Sequence, residues 1–333
     1  KHDQDDAPWT EWPKPLRRRD AQALAAKREE LADEIQYQKY LQFLFDRQWE
    51  GVKNHCAEKG LRIIGDVPIF VALDSADVWT HQDLFFLDED GQPTVVAGVP
   101  PDYFSKTGQL WGNPLYDWEA HKRSNYTWWL QRLDVTFKRV DIVRLDHFRG
   151  LEAYWEVPVG EQTAENGAWT PGPGAHFLET VQERFGGLPL IAEDLGVITP
   201  EVDALRERFR LPGMRVLQFA FTGEDPAACT HAPHRHARDA VVYTGTHDND
   251  TTVGWFHGQD DQYDPRDAQQ QQRERENFLA YMQQEHAGGV HWKLIALALQ
   301  SVAESCVVPV QDVLGLGSDA RMNRPGAVTP DNW

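Results

Sequence analysis

Arg144 and Asp146 stand two residues apart in the run Val143-Arg144-Leu145-Asp146-His147-Phe148-Arg149-Gly150. On a β-strand, residues two apart share a face, so the guanidinium and the carboxyl point the same way while Leu145 turns into the opposite layer. A positive group beside Asp146 favours the ionised form, which is the state a carboxylate nucleophile needs. A structural ion pair is the alternative reading. Glu193 closes the apolar run Pro189-Leu190-Ile191-Ala192. A carboxyl emerging from such a wall is partly desolvated, its pKa rises, and it can stay protonated as a general acid. Thr244-Gly245-Thr246-His247-Asp248-Asn249-Asp250-Thr251 ends a further run with imidazole, carboxylate and amide side by side, where a polar turn is the alternative. One carboxylate held by an arginine, one raised by its surroundings and one beside a histidine meet the needs of glycosidic-bond cleavage with retention. On that reading the carboxyl groups of Asp146 and Glu193 lie roughly 5 to 5.5 Å apart.

Short apolar runs position these groups: 61–71, 140–146, 188–193, 214–221, 240–246 and 306–312. Amphipathic stretches lie between them, notably 126–138, 199–209 (Thr199 as N-cap, Pro200 at the first helical position) and 290–304. Bare apolar strands separated by helices predict a parallel sheet covered on both faces, hence an α/β protein. Asp66, Asp146, Glu193, His247 with Asp248, and Asp312 stand at or just after strand ends. Polar groups gathered there are the mark of a (β/α)8 TIM barrel, whose active site occupies that rim. A doubly wound sheet would also explain the strands, but no G-x-G-x-x-G or Walker loop follows any of them. The first sixty residues instead carry a Trp/Pro lead-in. A helix or helix pair follows, with Leu24, Leu31, Ile35, Leu41, Phe45, Trp49, Val52 and Cys56 on one face, and ends near Gly60. About six barrel strands are therefore expected where a closed barrel needs eight, so residues 1–333 read as one partial catalytic barrel with loop insertions, a fragment lacking early strands and some C-terminal residues.

The 333 residues include 33 basic and 52 acidic side chains, for a net charge of −19. Such an excess repels nucleic-acid backbones and anionic lipid, so neither is an expected partner. No run is long and apolar enough for a membrane span or a signal peptide, and a cytoplasmic location is expected. Cys56, Cys229 and Cys306 lie too far apart for a disulfide framework or zinc ribbon. The group His231, His234, His236 invites a metal reading, but its Pro/Arg-rich surroundings favour a solvated loop. No metal and no organic cofactor are expected. The 13 Trp and 9 Tyr suit a protein that grips sugar faces, and equally suit a Trp-rich core.

Several longer segments bear a resemblance. Gly65-Asp66-Val67-Pro68-Ile69-Phe70-Val71-Ala72, Asp74-Ser75-Ala76-Asp77-Val78-Trp79, the stretch 98–114 and Arg321-Met322-Asn323-Arg324-Pro325-Gly326, together with the strand motifs above, resemble the 4-alpha-glucanotransferases. These are the amylomaltases or disproportionating enzymes, glycoside hydrolase family 77 of the α-amylase clan (EC 2.4.1.25). The resemblance covers nearly the whole chain from Trp9 onward. It implies transfer of α-1,4-glucan segments from a donor to the 4-hydroxyl of an acceptor glucan or glucose, with α-1,4-glucans and maltooligosaccharides as partners. It implies Asp146 as nucleophile, Glu193 as acid/base and Asp248 as transition-state stabiliser, with Arg144 and His247 supporting the sugar. Asp66 falls where the clan keeps a carboxylate near the site. The loop with Asp102, Tyr103, Phe104, Trp111 and Asn113 resembles the family's mobile loop over the glucan cleft. An α-glucan hydrolase of the same clan and an inactive glucan-binding fragment are the alternative readings. Oligomeric state is not legible.

Overall fold

The computed structural model describes residues 4, 6–101, 105–223, 228–258, 266–282, 288–325 and 332. The chain divides into two compact units, residues 1–209 and 210–333.

The first unit opens with α1 (Lys14–Arg17), α2 (Ala21–Glu30) and α3 (Ala32–Glu58). Asp20 caps α2 by accepting from the backbone N–H groups of Gln22 and Ala23 at 3.0 Å each. The helix pair is present as the spacing predicts, but no residue of α2 or α3 is buried. Polar anchors tie α3 to its neighbour. Trp49 donates its indole N–H to Arg139 O, and Lys53 Nζ donates to the carbonyls of Phe137, Lys138 and Val140. Those carbonyls close the C-terminal end of the helix Thr127–Arg139, where a cation is favoured by the helix dipole.

Then follow β1 (Ile64–Val67), α4 (Ala76–Thr80), β2 (Val95–Val99), β3 (Gln109–Pro114), α5 (Trp118–Arg123), α6 (Thr127–Arg139), β4 (Ile142–Leu145), β5 (Ala153–Pro158), β6 (Ala168–Pro171), α7 (Gly174–Phe185), β7 (Leu190–Ala192) and α8 (Pro200–Arg208). Strands β1, β4 and β7 pair in parallel in that order, with Asp66 opposite Arg144 and Arg144 opposite Ile191. Pro200 does open α8, but the Thr199 side chain makes no cap bond. The strands β2, β3, β5 and β6 form an antiparallel sheet of order β3-β2-β5-β6, an element that the apolar runs do not predict. Several of the unit's tryptophans serve packing. Trp118, Trp128 and Trp129 surround the fully buried Tyr116 at ring distances of 4.9, 5.7 and 5.7 Å.

The second unit holds β8 (Gly213–Val216), β9 (Ala240–Tyr243), α9 (Thr252–His257), α10 (Ala268–Met282), α11 (Val290–Leu299), β10 (Ser305–Val307) and α12 (Val310–Leu314). Its strands pair in parallel, β8 with β9 and β9 with β10, beside a core of Leu217, Phe221, Val242, Trp255, Phe278, Leu294 and Leu297. A strand falls on each of the six expected apolar runs and is shorter than the run, with β8 and β10 each beginning one residue before theirs. Leu217–Phe221 is a 3-10 turn instead of a strand continuation, and Asp312 stands inside α12 and not at a strand end. Of the three histidines expected in a solvated loop, His234 is exposed, but His231 and His236 are not. His231 is tucked in to accept the Val216 N–H at 3.1 Å, and His236 is buried with its ring against Ser301 Oγ and His231 O. Burial holds the His231 pKa down at about 4. His234 pairs with the Tyr281 hydroxyl at 2.9 Å.

Candidate active site

Parallel pairing of β1, β4 and β7 gathers the acidic groups of the first unit. Asp66 faces Arg144 across the β1–β4 register, and Arg144 donates to both of its oxygens, Nε to Oδ1 at 2.8 Å and Nη2 to Oδ2 at 3.0 Å. The same Nη2 donates to Asp146 Oδ1 at 2.9 Å, so one planar guanidinium bridges two carboxylates. Burial works against the charge on Arg144, but the hydrogen bond to Asp66 and the charges of Asp146 and Asp66 together outweigh it and hold the guanidinium above its ordinary range. The side chains of Asp66 and Asp146 remain 48% and 40% exposed, open to a ligand.

Glu193 follows β7 and is held from several sides. Its backbone N–H donates to Leu145 O at 3.1 Å, and its carbonyl accepts from the Phe148 N–H at 3.1 Å. The carboxyl accepts from the His147 backbone N–H at 2.7 Å on Oε2 and from the Leu195 N–H at 2.9 Å on Oε1. Even so, its pKa is raised from 4.5 to about 7, first by burial and then by the negative charge of Asp146; the two N–H groups and Arg144 oppose the rise without cancelling it. The desolvation expected of a strand-end carboxyl is present, and the neighbouring anion adds to it.

His147 carries the turn between these acids. Its backbone is left-handed, φ 50° and ψ 49°, an unusual state for a residue with a side chain. That conformation aims its N–H at Glu193. Gly150 makes room for the turn, since a Cβ there would meet Ile69 Cδ1 at 2.8 Å and His147 Cδ2 at 3.1 Å. Burial, then the charge of Arg149, lowers the His147 pKa to about 4, so the imidazole is neutral at neutral pH. Trp111 packs its ring edge-on to that imidazole at 4.8 Å, with Phe70 beside both at 6.4 Å. Trp111 and Asn113 thus belong to strand β3 and not to a loop. Trp111 is 39% exposed, and Asn113 donates its amide to Val71 O at 3.0 Å. Asp102, Tyr103 and Phe104 lie outside the described residues.

His247 and Asp248 stand in the second unit, on the segment between β9 and α9. Asp248 is approached by His247 Nε2 at 3.5 Å, its Oδ1 accepts from Asn323 Nδ2 at 2.6 Å, and its carbonyl accepts from Arg321 Nη2 at 2.7 Å. The roles of Arg321 and Asn323 were not read from the sequence; the resemblance of the Arg321-Met322-Asn323 stretch was the available signal. No group of three or more possible metal ligands occurs among the described residues. No helix described is long and apolar enough to cross a membrane.

Fold and site together define a class: parallel β/α proteins that hold a raised carboxyl beside an arginine-bridged one at strand ends. The profile of glycoside hydrolase family 77, 4-alpha-glucanotransferase, matches residues 1–333, and the chain belongs to that family. It is 50% identical over 329 residues to a 4-alpha-glucanotransferase of Thermus thermophilus, covering 98% of this chain and 64% of that protein. The 4-alpha-glucanotransferase of a Synechocystis strain is 49% identical, with 98% and 63% covered. The chain thus spans less than two thirds of the length of these relatives. The solved amylomaltase from Streptococcus agalactiae in complex with acarbose superposes with a TM-score of 0.92 at 36% identity, covering 100% of this chain and 65% of that one. The fold class is accordingly that of the amylase-clan β/α barrel, and the described residues of each unit contribute three parallel strands.

Proposed function

We propose that the protein to which this chain belongs transfers α-1,4-glucan segments to the 4-hydroxyl of a glucan or glucose acceptor by retaining double displacement. The observation that carries this reading is Glu193, raised to about 7 beside the Arg144-bridged Asp146. A carboxyl with that value is protonated in a good fraction of molecules at neutral pH and can serve as acid and then as base. Glu193 gives its proton to the scissile glycosidic oxygen while an Asp146 oxygen bonds to the anomeric carbon. The C–O bond breaks, the reducing-end piece leaves as an alcohol, and a β-linked glucosyl ester remains on Asp146. An acceptor 4-hydroxyl then bonds to the same carbon, its proton passing to Glu193, and Asp146 departs as carboxylate. Two inversions restore the α configuration.

Asp248 is assigned to stabilise the oxocarbenium-like transition state, with His247 beside it. Arg144 fixes the nucleophile's orientation. Asp66, Trp111 and Asn113, with Asp102, Tyr103 and Phe104, are assigned to the sugar. The solved relative's complex with acarbose supports maltooligosaccharides as the ligand class. A cytoplasmic place of work belongs to the same proposal, and residues 1–333 are read as one partial catalytic barrel. In the full-length polypeptide, Glu193→Gln lowers turnover on maltotriose by about 10²- to 10⁴-fold with glucan binding little changed. Unchanged turnover refutes the assignment. Redistribution of maltotriose into longer and shorter oligosaccharides marks transfer, whereas release of glucose and maltose alone marks a hydrolase.

A further inference from the structure

Asp312 is 1% exposed, far from a rim carboxylate in character, and its bonds converge on one target. Its Oδ2 accepts from Thr244 Oγ1 at 2.6 Å and from Thr252 Oγ1 at 2.8 Å, while Oδ1 accepts from the Thr252 backbone N–H at 2.7 Å. Thr244 directly follows β9, and Thr252 is the first residue of α9. They are the two feet of the segment that carries His247 and Asp248, and both are fully buried. One carboxylate therefore closes the base of that segment.

The rest of the segment is held from the same stretch of chain. Ser318 Oγ donates to Asp250 Oδ2 at 2.6 Å, and Arg321 and Asn323 hold Asp248 as described above. Within the segment, Asn249 Oδ1 accepts from both the Thr246 N–H and hydroxyl at 2.8 Å each. Gln218 adds a bond to the Asp250 carbonyl at 2.8 Å. A short segment pinned at both feet and along its length has little freedom to tilt. That is the condition for holding a side chain where charge develops during a reaction.

We propose that Asp312 is the positioning residue for Asp248, fixing the angle at which the 244–252 segment presents its carboxylate; the proposal rests on the role assigned to Asp248 above. Asp312 touches no reacting atom and acts through Thr244 and Thr252. Asp312→Asn keeps the volume and the oxygen that accepts from the Thr252 N–H. It puts an amide donor where two hydroxyls now donate, so the feet must re-pair in another geometry.

The test is a double-mutant cycle on the full-length polypeptide with maltotriose as substrate. Asp312→Asn is expected to lower kcat by about 10- to 100-fold per folded molecule with KM within about two-fold, as a small misplacement of a group acting in the transition state does. In an Asp248→Asn background the same change is expected to cost almost nothing further. If Asp312→Asn does not yield folded protein by circular dichroism, Thr244→Val serves instead. It removes one foot bond, leaves both bonds from Thr252, and should give the same non-additive pattern at about 3- to 10-fold. Multiplicative losses in the double variant overturn the positioning role, as does a loss that only tracks the folded fraction. An Asp248→Asn variant that works at the parental rate overturns the role of Asp248 itself and the proposal with it. A crippled Asp248→Asn beside an unimpaired Asp312→Asn overturns the positioning role alone.

Discussion

Glu193 offers a test that needs no substrate. Its carboxyl is raised from 4.5 to about 7, by burial first and by the charge of Asp146 second. A carboxyl raised on folding binds its proton more tightly in the native state than in the unfolded chain. Its contribution to stability is therefore complete below pH 4.5 and is lost as pH rises through about 7. At about 1.4 kcal/mol per pH unit, the interval from 4.5 to about 7 corresponds to a loss of about 3 kcal/mol. Glu193→Gln abolishes that titration. The amide keeps one oxygen for the two backbone donors, His147 and Leu195. One N–H then loses its acceptor, which costs about 1 to 3 kcal/mol at every pH. This penalty shifts the variant's curve without bending it. Urea unfolding of parent and variant from about pH 4 to about pH 8 should show their difference moving by about 3 kcal/mol in the variant's favour as pH rises, most of it before about pH 7. A difference that stays flat over this range refutes the raised carboxyl, and with it the reason for assigning Glu193 as the acid.

Arg144→Lys should lower turnover on maltotriose by about 10- to 100-fold, because an ammonium cannot reproduce the paired bonds to Asp66 and the bridge to Asp146; steady-state kinetics showing parental kcat would dismiss the bridge as a functional device. Asp194, next to the acid, is buried against Arg206 at 3.4 Å, both side chains almost fully shielded. Asp194→Asn should cost about 1 to 3 kcal/mol of stability by removing a shielded charge beside Arg206, whose other acidic neighbours Asp203 at 3.6 Å and Glu207 at 3.7 Å are solvent-exposed, and denaturant melts showing no loss would contradict that.

The acidic groups on strands were legible because a strand has a period of two and a parallel strand ends in a polar residue. Arg144 and Asp146 could be placed on one face, and the rise of Glu193 inferred from the apolar residues before it. The antiparallel sheet was not legible. Gly98 and Gly112 lie inside its strands and Pro114, Pro158 and Pro171 end them, residues that read locally as turns, and only cross-strand pairing makes them a sheet. Histidines in a Pro/Arg-rich connection looked solvated because burial of His231 and His236 depends on which carbonyls and amides come near, which no local pattern carries.

Residue types and their local spacing by themselves determined the α/β class, the apolar runs that became parallel strands, and the identity of the candidate acids, since periodicity and short-range composition are properties of the chain alone. Tertiary structure decided who holds them. The β1–β4 register set Asp66 opposite Arg144, a left-handed turn aimed the His147 N–H at Glu193, and α12 carried Asp312 beneath both feet of the Asp248 segment. Those partners lie 46 to 78 positions apart in the chain. Hydrogen bonds act over about 3 Å of space and are indifferent to sequence distance, so they exist only once the strands and helices have packed.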